Sequence, residues 1–234
     1  MNVAFVLFAR TPGLKPIRNR LSRTTSKDFA EEFYLHSLEA TRELILEMSH
    51  NNPDIKLVWA VEEKEGLKSE FWGDYPVLFQ GDGGLGDKLD RVYKKLSAEF
   101  DAVFMMMPNT AQIGPEVLEF DILNFLTSDY DYLLGKTDQG GFYLFGGAKA
   151  VPFSTWINVP YNCSITFDEL DQGLSKNGKV LHISESFGIL ERDDLENFKS
   201  VDTDGFLESQ EKLHELVVST EFKKRTLDDI VYLN

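Results

Sequence analysis

Residues 2–9 of this chain, Asn-Val-Ala-Phe-Val-Leu-Phe-Ala, are apolar at every position after the first. A strand with one wet face alternates apolar and polar residues, so a short unbroken run predicts a strand covered on both faces. Such strands belong to parallel sheets with helices on each side, and the chain goes on to supply the helices. Ser26 is placed to cap a helix reaching about residue 49, with Phe29, Phe33, Leu38, Leu44 and Ile45 near helical spacing. Strands are expected over 55–61 and 77–80, with a short helical turn over 67–72 between them. A glycine-rich loop then leads into a helical pattern of Leu89, Val92, Tyr93 and Leu96. A strand over 101–107 follows, then a helix from Pro115 to about residue 126, a strand pair over 130–135 and 141–146, and a helix over 164–175. A strand over 180–183 and a helix over 206–217 complete the pattern. The expected architecture is a three-layer α/β/α sandwich on a mixed, mainly parallel sheet. With no linker, repeat or low-complexity tract, residues 1–234 are expected to form a single domain.

Charge narrows the range of functions. The chain carries 24 Lys+Arg against 39 Asp+Glu, a formal net charge of −15, which disfavours nucleic acid and anionic lipid as partners. No apolar stretch approaches the roughly 20 residues needed to span a bilayer. The N-terminus lacks a basic region and a small-residue cleavage site, so the expected location is the cytoplasm. The one cysteine, Cys163, is expected to be a packed small side chain.

In open α/β sheets ligands lie outside the carboxyl ends of the strands, and there the unusual residues collect. The loop after the first strand holds Arg10, Lys15, Arg18, Arg20 and Arg23 in an otherwise acidic chain, a set suited to phosphate; the alternative is solvated cations balancing nearby carboxylates. The loop Gln80-Gly81-Asp82-Gly83-Gly84-Leu85-Gly86-Asp87 is no Walker motif. Gly83, Gly84 and Gly86 tolerate positive φ and would let backbone approach a nucleotide or sugar, unless the loop is only a turn into a helix that Asp87 caps. His36, His50, His182 and His214 lack metal-ligand spacing, and Met105 to Met107 fit a sheet interior.

Taken together, these segments resemble a bacterial glycosyltransferase family with the nucleotide-diphospho-sugar transferase (GT-A) fold, related to molybdopterin-guanylyltransferase-like enzymes. The resemblance rests on Phe8-Ala9-Arg10, Pro12 and Arg18-Asn19-Arg20-Leu21, on Gln80 through Gly86, on Met107 through Ala111, on the hairpin from Gly135 to Gly146, and on Ser200-Val201-Asp202-Thr203. It implies a nucleotide-sugar or nucleotide as ligand, a small-molecule acceptor, and Mg²⁺ or Mn²⁺ on the diphosphate. It also suggests Trp156 and Tyr161 as walls of an acceptor pocket, although core packing suits them equally.

The departures fall on the metal. The family's acid after the fourth strand is Asn109 here, and the acid before the paired glycines is Gln139. An amide keeps an acceptor oxygen but loses the charge that holds a hard cation. Asp138, one position away, is the candidate to replace the lost carboxylate at the metal or to activate an acceptor, with Asp82, Asp87 and Asp202 as further candidates; the alternative for each is an ordinary solvated or capping acid. Asn109, Asp138 and Gln139 are therefore the expected catalytic cluster, and Arg10, Lys15, Arg18, Arg20, Gln80, Gly83, Gly84 and Gly86 the nucleotide-binding set. The favoured reading is a glycosyltransferase-like protein that binds a nucleotide-sugar. The alternatives are a catalytically inactive nucleotide-binding or regulatory homologue, and a nucleotidyltransferase acting on a small phosphorylated acceptor.

Overall fold

The computed structural model describes residues 1–16 and 20–222. Among these, seven strands form one sheet: β1 (Val3–Ala9), β2 (Ile55–Val61), β3 (Val77–Phe79), β4 (Ala102–Met106), β5 (Tyr132–Thr137), β6 (Phe142–Gly147) and β7 (Val180–Ser186). Their order is β3-β2-β1-β4-β6-β5-β7, and β6 alone runs antiparallel to its neighbours. All seven residues of β1 are buried, as its unbroken apolar run requires. After β1 the chain builds outward through β2 to β3, then crosses back to place β4 on β1's other side. That reversal opens a crevice beyond the carboxyl ends of β1 and β4.

The helices among the described residues are α1 (Arg20–Thr24), α2 (Lys27–Asn51), α3 (Leu85–Leu96), α4 (Pro115–Thr127), α5 (Phe153–Ile157), α6 (Thr166–Ser175), α7 (Arg192–Lys199) and α8 (Glu208–Ser219). Val3, Phe5 and Leu7 of β1 face α2 and α4, through Leu38, Leu44, Ile45, Leu118 and Ile122. Ala4, Val6 and Phe8 face α3, α5 and α6, through Leu89, Val92, Trp156 and Leu170. A further layer lies over the N-terminal half of α2, where Phe29, Ala30 and Phe33 pack against Leu21, Leu195, Phe198 and Leu213. Covered by sheet on one side and helices on another, α2 buries residues around much of its circumference. Its N-cap is Ser26, whose hydroxyl accepts the Phe29 N–H at 3.1 Å.

Two cross-links set the crevice walls. The side chain of Gln210 on α8 is fully buried and donates to the carbonyls of Ala111 and Ile113, at 2.7 and 2.9 Å, fixing the turn after β4. At the β5–β6 hairpin Gly140 has φ of +79°, and a Cβ there would lie 2.0 Å from the Ser164 carbonyl oxygen, so the hairpin tip can close on that loop only with glycine. Among the described residues, no helix is long and apolar enough to cross a membrane.

Candidate functional site

The crevice holds two adjoining cavities of about 500 and 530 Å³ that share Leu85, Met107, Asn109, Asn162 and Leu190 as a common wall. They are two lobes of one cleft. The first lies between α1, the β5–β6 hairpin and the loop before α6; the second lies over the ends of β1 and β2 and the start of α3.

Among the described residues, the only charged side chains lining the first lobe are Arg20 and Arg23, three residues apart on α1. Both are exposed, and neither guanidinium has an ion pair or hydrogen-bond partner among the described residues. Around them are Asn109, Thr137, Gln139, Asn162 and Ser164, with no carboxylate among the described lining residues. Among the described residues the charged groups that line this lobe are thus cationic, in a chain of net charge −15.

Of the two amides at the expected metal position, that of Gln139 is committed elsewhere. Gln139 accepts the Gly188 N–H through Oε1 at 3.2 Å and donates from Nε2 to the Gly188 carbonyl at 3.0 Å and to Asp194 Oδ1 at 3.1 Å. Asp194 Oδ2 accepts the N–H groups of Leu190 and Glu191, both at 2.8 Å, at the start of α7. Asn109 faces the same side of Gly188 as Gln139: a Cβ added to that glycine would stand 3.1 Å from both Asn109 Nδ2 and Gln139 Oε1. The backbone carbonyl of Asn109 accepts the Ile189 N–H at 2.9 Å. Asp138 is exposed and lines neither lobe. Partial burial, with Asp194 and Glu185 nearby, pushes its carboxyl above the ordinary range. Among the described residues no group of three or more His, Cys, Asp and Glu is placed to hold a metal. With amides at both expected positions and no acid lining the lobe among the described residues, the donor set does not fit a hard divalent cation.

The second lobe is differently charged. Glu62 lies between two cations, 2.6 Å from Arg10 Nε and 2.9 Å from Lys88 Nζ. Burial works against its charge, but the Lys88 ammonium and Arg10 guanidinium outweigh it and hold the carboxyl below its usual value. Arg10 is further fixed through its backbone: the Tyr34 hydroxyl accepts its N–H at 2.7 Å and donates to its carbonyl at 3.0 Å. Burial pushes the Tyr34 phenol well above its normal value, so it stays neutral. Gln80 is buried, and its Nε2 donates to the carbonyls of Ala9 and Ala60 at 3.2 and 2.8 Å, bracing the lobe between two strand ends.

The cleft thus brings together Arg10, Arg20, Gln80, Asn109 and Gln139 of the expected residues. Lys15 is exposed and lines neither lobe, and Arg18 lies outside the described residues. The glycines act through backbone geometry rather than contact. Of the three singled out only Gly83 has positive φ, at +107°; Gly84 caps α3 with extended backbone, and Gly86 lies inside α3 against the Trp156 carbonyl. Asp87 accepts the Gly84 N–H at 2.9 Å, the expected cap. Asp82, Asp87 and Asp202 line neither lobe.

Trp156 is fully buried against Phe145, whereas Tyr161 lines the first lobe and donates to the Trp156 carbonyl. Cys163 corrects the sequence expectation: it is exposed and lines the first lobe. The reason is local, since Asn162 beside it has φ of +62° and Thr166 Oγ1 lies within hydrogen-bond reach of the Pro160 and Cys163 carbonyls, turning 160–166 into a tight loop at the cleft rim. Glu62, Lys88, Tyr34 and Asp194 carried no recognisable motif; a signal for Glu62 was its place at the carboxyl end of a strand.

No protein-family model matches the sequence, and no curated protein is significantly similar to it. Solved structures are similar in fold. A nucleotide-diphospho-sugar transferase-like protein from Desulfovibrio desulfuricans G20 has a TM-score of 0.78 at 15% identity, covering 93% of this chain and 94% of its own. A nucleotidyl transferase from Methanothermobacter thermautotroptrophicus has a TM-score of 0.50 at 14% identity, covering 90% and 97%. The 4-diphosphocytidyl-2C-methyl-D-erythritol synthase of Anaerococcus prevotii has a TM-score of 0.50 at 10% identity, with the same coverage. The chain has the nucleotide-diphospho-sugar transferase fold.

Proposed function

We propose that this protein binds a nucleotide-sugar across the two lobes, with its nucleoside in the second and its phosphates and sugar in the first. The observation that carries this reading is the pair of unpaired arginines lining a lobe in which no described residue supplies a carboxylate. Guanidinium groups match phosphate oxygens with paired N–H donors, and phosphate is the ligand chemistry such a lobe suits. Phe8, Phe33 and Tyr34 give the second lobe an apolar aromatic side for a nucleoside, while Glu62 and the Gln80 amide supply polar edges. The fold supports the same class of ligand, since the solved structures similar to it include nucleotide-diphospho-sugar transferase-like and nucleotidyl transferase proteins.

In sugar transfer negative charge builds on the departing diphosphate, and in this reading Arg20 and Arg23, which line the first lobe, supply the charge that neutralises it. Among the described residues no carboxylate lining the first lobe is available to activate an acceptor, which favours the non-catalytic alternative as the second reading. A thermal-shift screen of nucleoside diphosphates, triphosphates and nucleotide-sugars tests the proposal. At about a hundredfold excess over Kd a true ligand raises Tm by on the order of 5–10 °C. A nucleotide-sugar response that exceeds the triphosphate response supports the reading; a triphosphate preference supports nucleotidyl transfer, and silence from every nucleotide overturns both.

A further inference from the structure

The charges that line the first lobe bear on how a diphosphate is held there. We propose that the lobe is a cation-independent diphosphate subsite, in which Arg20 and Arg23 supply the positive charge and Gln139 serves as a latch in place of a metal-binding residue. The proposal rests on the nucleotide-sugar reading of the cleft but has its own observable.

Three features carry it. A divalent cation is held by anionic oxygen, and among the described residues no carboxylate lines the lobe. Gln139 turns an N–H donor, not a lone pair, toward Asp194 at 3.1 Å, and its oxygen is already engaged by the Gly188 N–H. Both oxygens of Asp194 are in turn used, one by Gln139 and one by the start of α7, so this acid is held as a structural anchor. The amide at 139 therefore ties the β5–β6 hairpin to the start of α7, an attachment that a carboxylate at the same position would break by repulsion. Among the described residues, Arg20 and Arg23 are the charged side chains that line the lobe with this latch.

A diphosphate in this lobe satisfies the two guanidinium groups directly. A magnesium ion chelated to the same diphosphate competes with them for the same oxygens, so metal should weaken binding or leave it unchanged. Inorganic pyrophosphate is the probe, titrated by calorimetry into the full-length protein in EDTA and again in excess Mg²⁺. Binding is expected in EDTA, with affinity no higher in Mg²⁺. The double variant Arg20→Ala/Arg23→Ala should lose affinity by at least about tenfold, because each hydrogen bond to a charged group carries that order of discrimination. Both side chains are exposed, so the variant should melt as the parent does. Electron paramagnetic resonance of Mn²⁺ should show no more metal bound with protein and pyrophosphate together than with pyrophosphate alone.

Pyrophosphate binding that requires Mg²⁺ or Mn²⁺, that survives loss of both arginines, or that does not occur at all overturns the proposal. A nucleotide-sugar that binds only with metal overturns it too while leaving the nucleotide reading intact. Metal-free pyrophosphate binding with no response from any nucleotide upholds the subsite and removes the nucleotide reading.

Discussion

At the residue scale the informative side chain is Gln139. A glutamine reading both the N–H and the carbonyl of Gly188 imitates one rung of a strand pair, and its amide nitrogen also reaches Asp194. Gln139→Glu keeps the length and removes the donor from that last bond, placing two carboxylates where donor met acceptor. We expect the variant to lose roughly 1–3 kcal/mol of unfolding free energy, the cost of a broken, partly buried charged hydrogen bond, read from urea titrations. Adding Asp194→Asn should restore much of the loss, since an amide at 194 can donate to the introduced carboxylate and still accept from the start of α7. If the single variant instead gains Mn²⁺ affinity with no loss of stability, the latch is misassigned. The resemblance set amides at 109 and 139 where it expects acids, but it could not show that Gln139 was already bonded, because Gly188 and Asp194 lie 49 and 55 residues further along the chain.

At the scale of elements, strands and long helices were legible because their burial pattern is periodic or unbroken. The 206–217 expectation is α8, and 26–49 is α2, with ends displaced by about two residues. The expected hairpin runs later than anticipated, with β5 reaching Thr137 and β6 starting at Phe142. Helix α7 was not read, since it offers only Leu195 and Phe198 to the interior within a run dominated by charged residues, too narrow a stripe to register as a helical period. It persists because it docks on α8 and the N-terminal half of α2 through a core cluster of its own. Short α1, which carries the two arginines, hides for the same reason: Leu21 is its one buried side chain. Gln210 joins α8 to the turn that presents Asn109, and its loss strands two carbonyls. Gln210→Ala should therefore destabilise the chain by roughly 2 kcal/mol, and hydrogen exchange should speed up in 109–113 before it does in β1. Equal acceleration in both segments would argue against a local cross-link.

The response of the whole molecule to pH has an identifiable buried contributor. Asp121 on α4 is buried, with one carboxyl oxygen lacking a partner among the described residues, and desolvation raises its pKa above the ordinary value. Tyr143, whose phenol is pushed up by its own burial and then by Asp121, shares that interior. A carboxyl with a raised folded-state pKa contributes most stability while protonated, below its unfolded value near about 4. That contribution is lost as pH rises through the higher folded-state value, so at neutral pH the charge opposes folding. Asp121→Asn should gain on the order of 1 kcal/mol at pH 7 and nothing at pH 3, measured by urea unfolding at both. An equal gain at both would assign the effect to packing rather than charge.

The common wall of the cleft also constrains how such a protein can diversify. Leu85, Met107, Asn109, Asn162 and Leu190 each border both chambers. A substitution at any of these five positions alters two neighbouring compartments at once, so new preferences are more readily acquired at positions that line one lobe alone, such as Ser164, than along the partition. Diverging copies of this chain should accordingly vary at such positions while the partition stays the same.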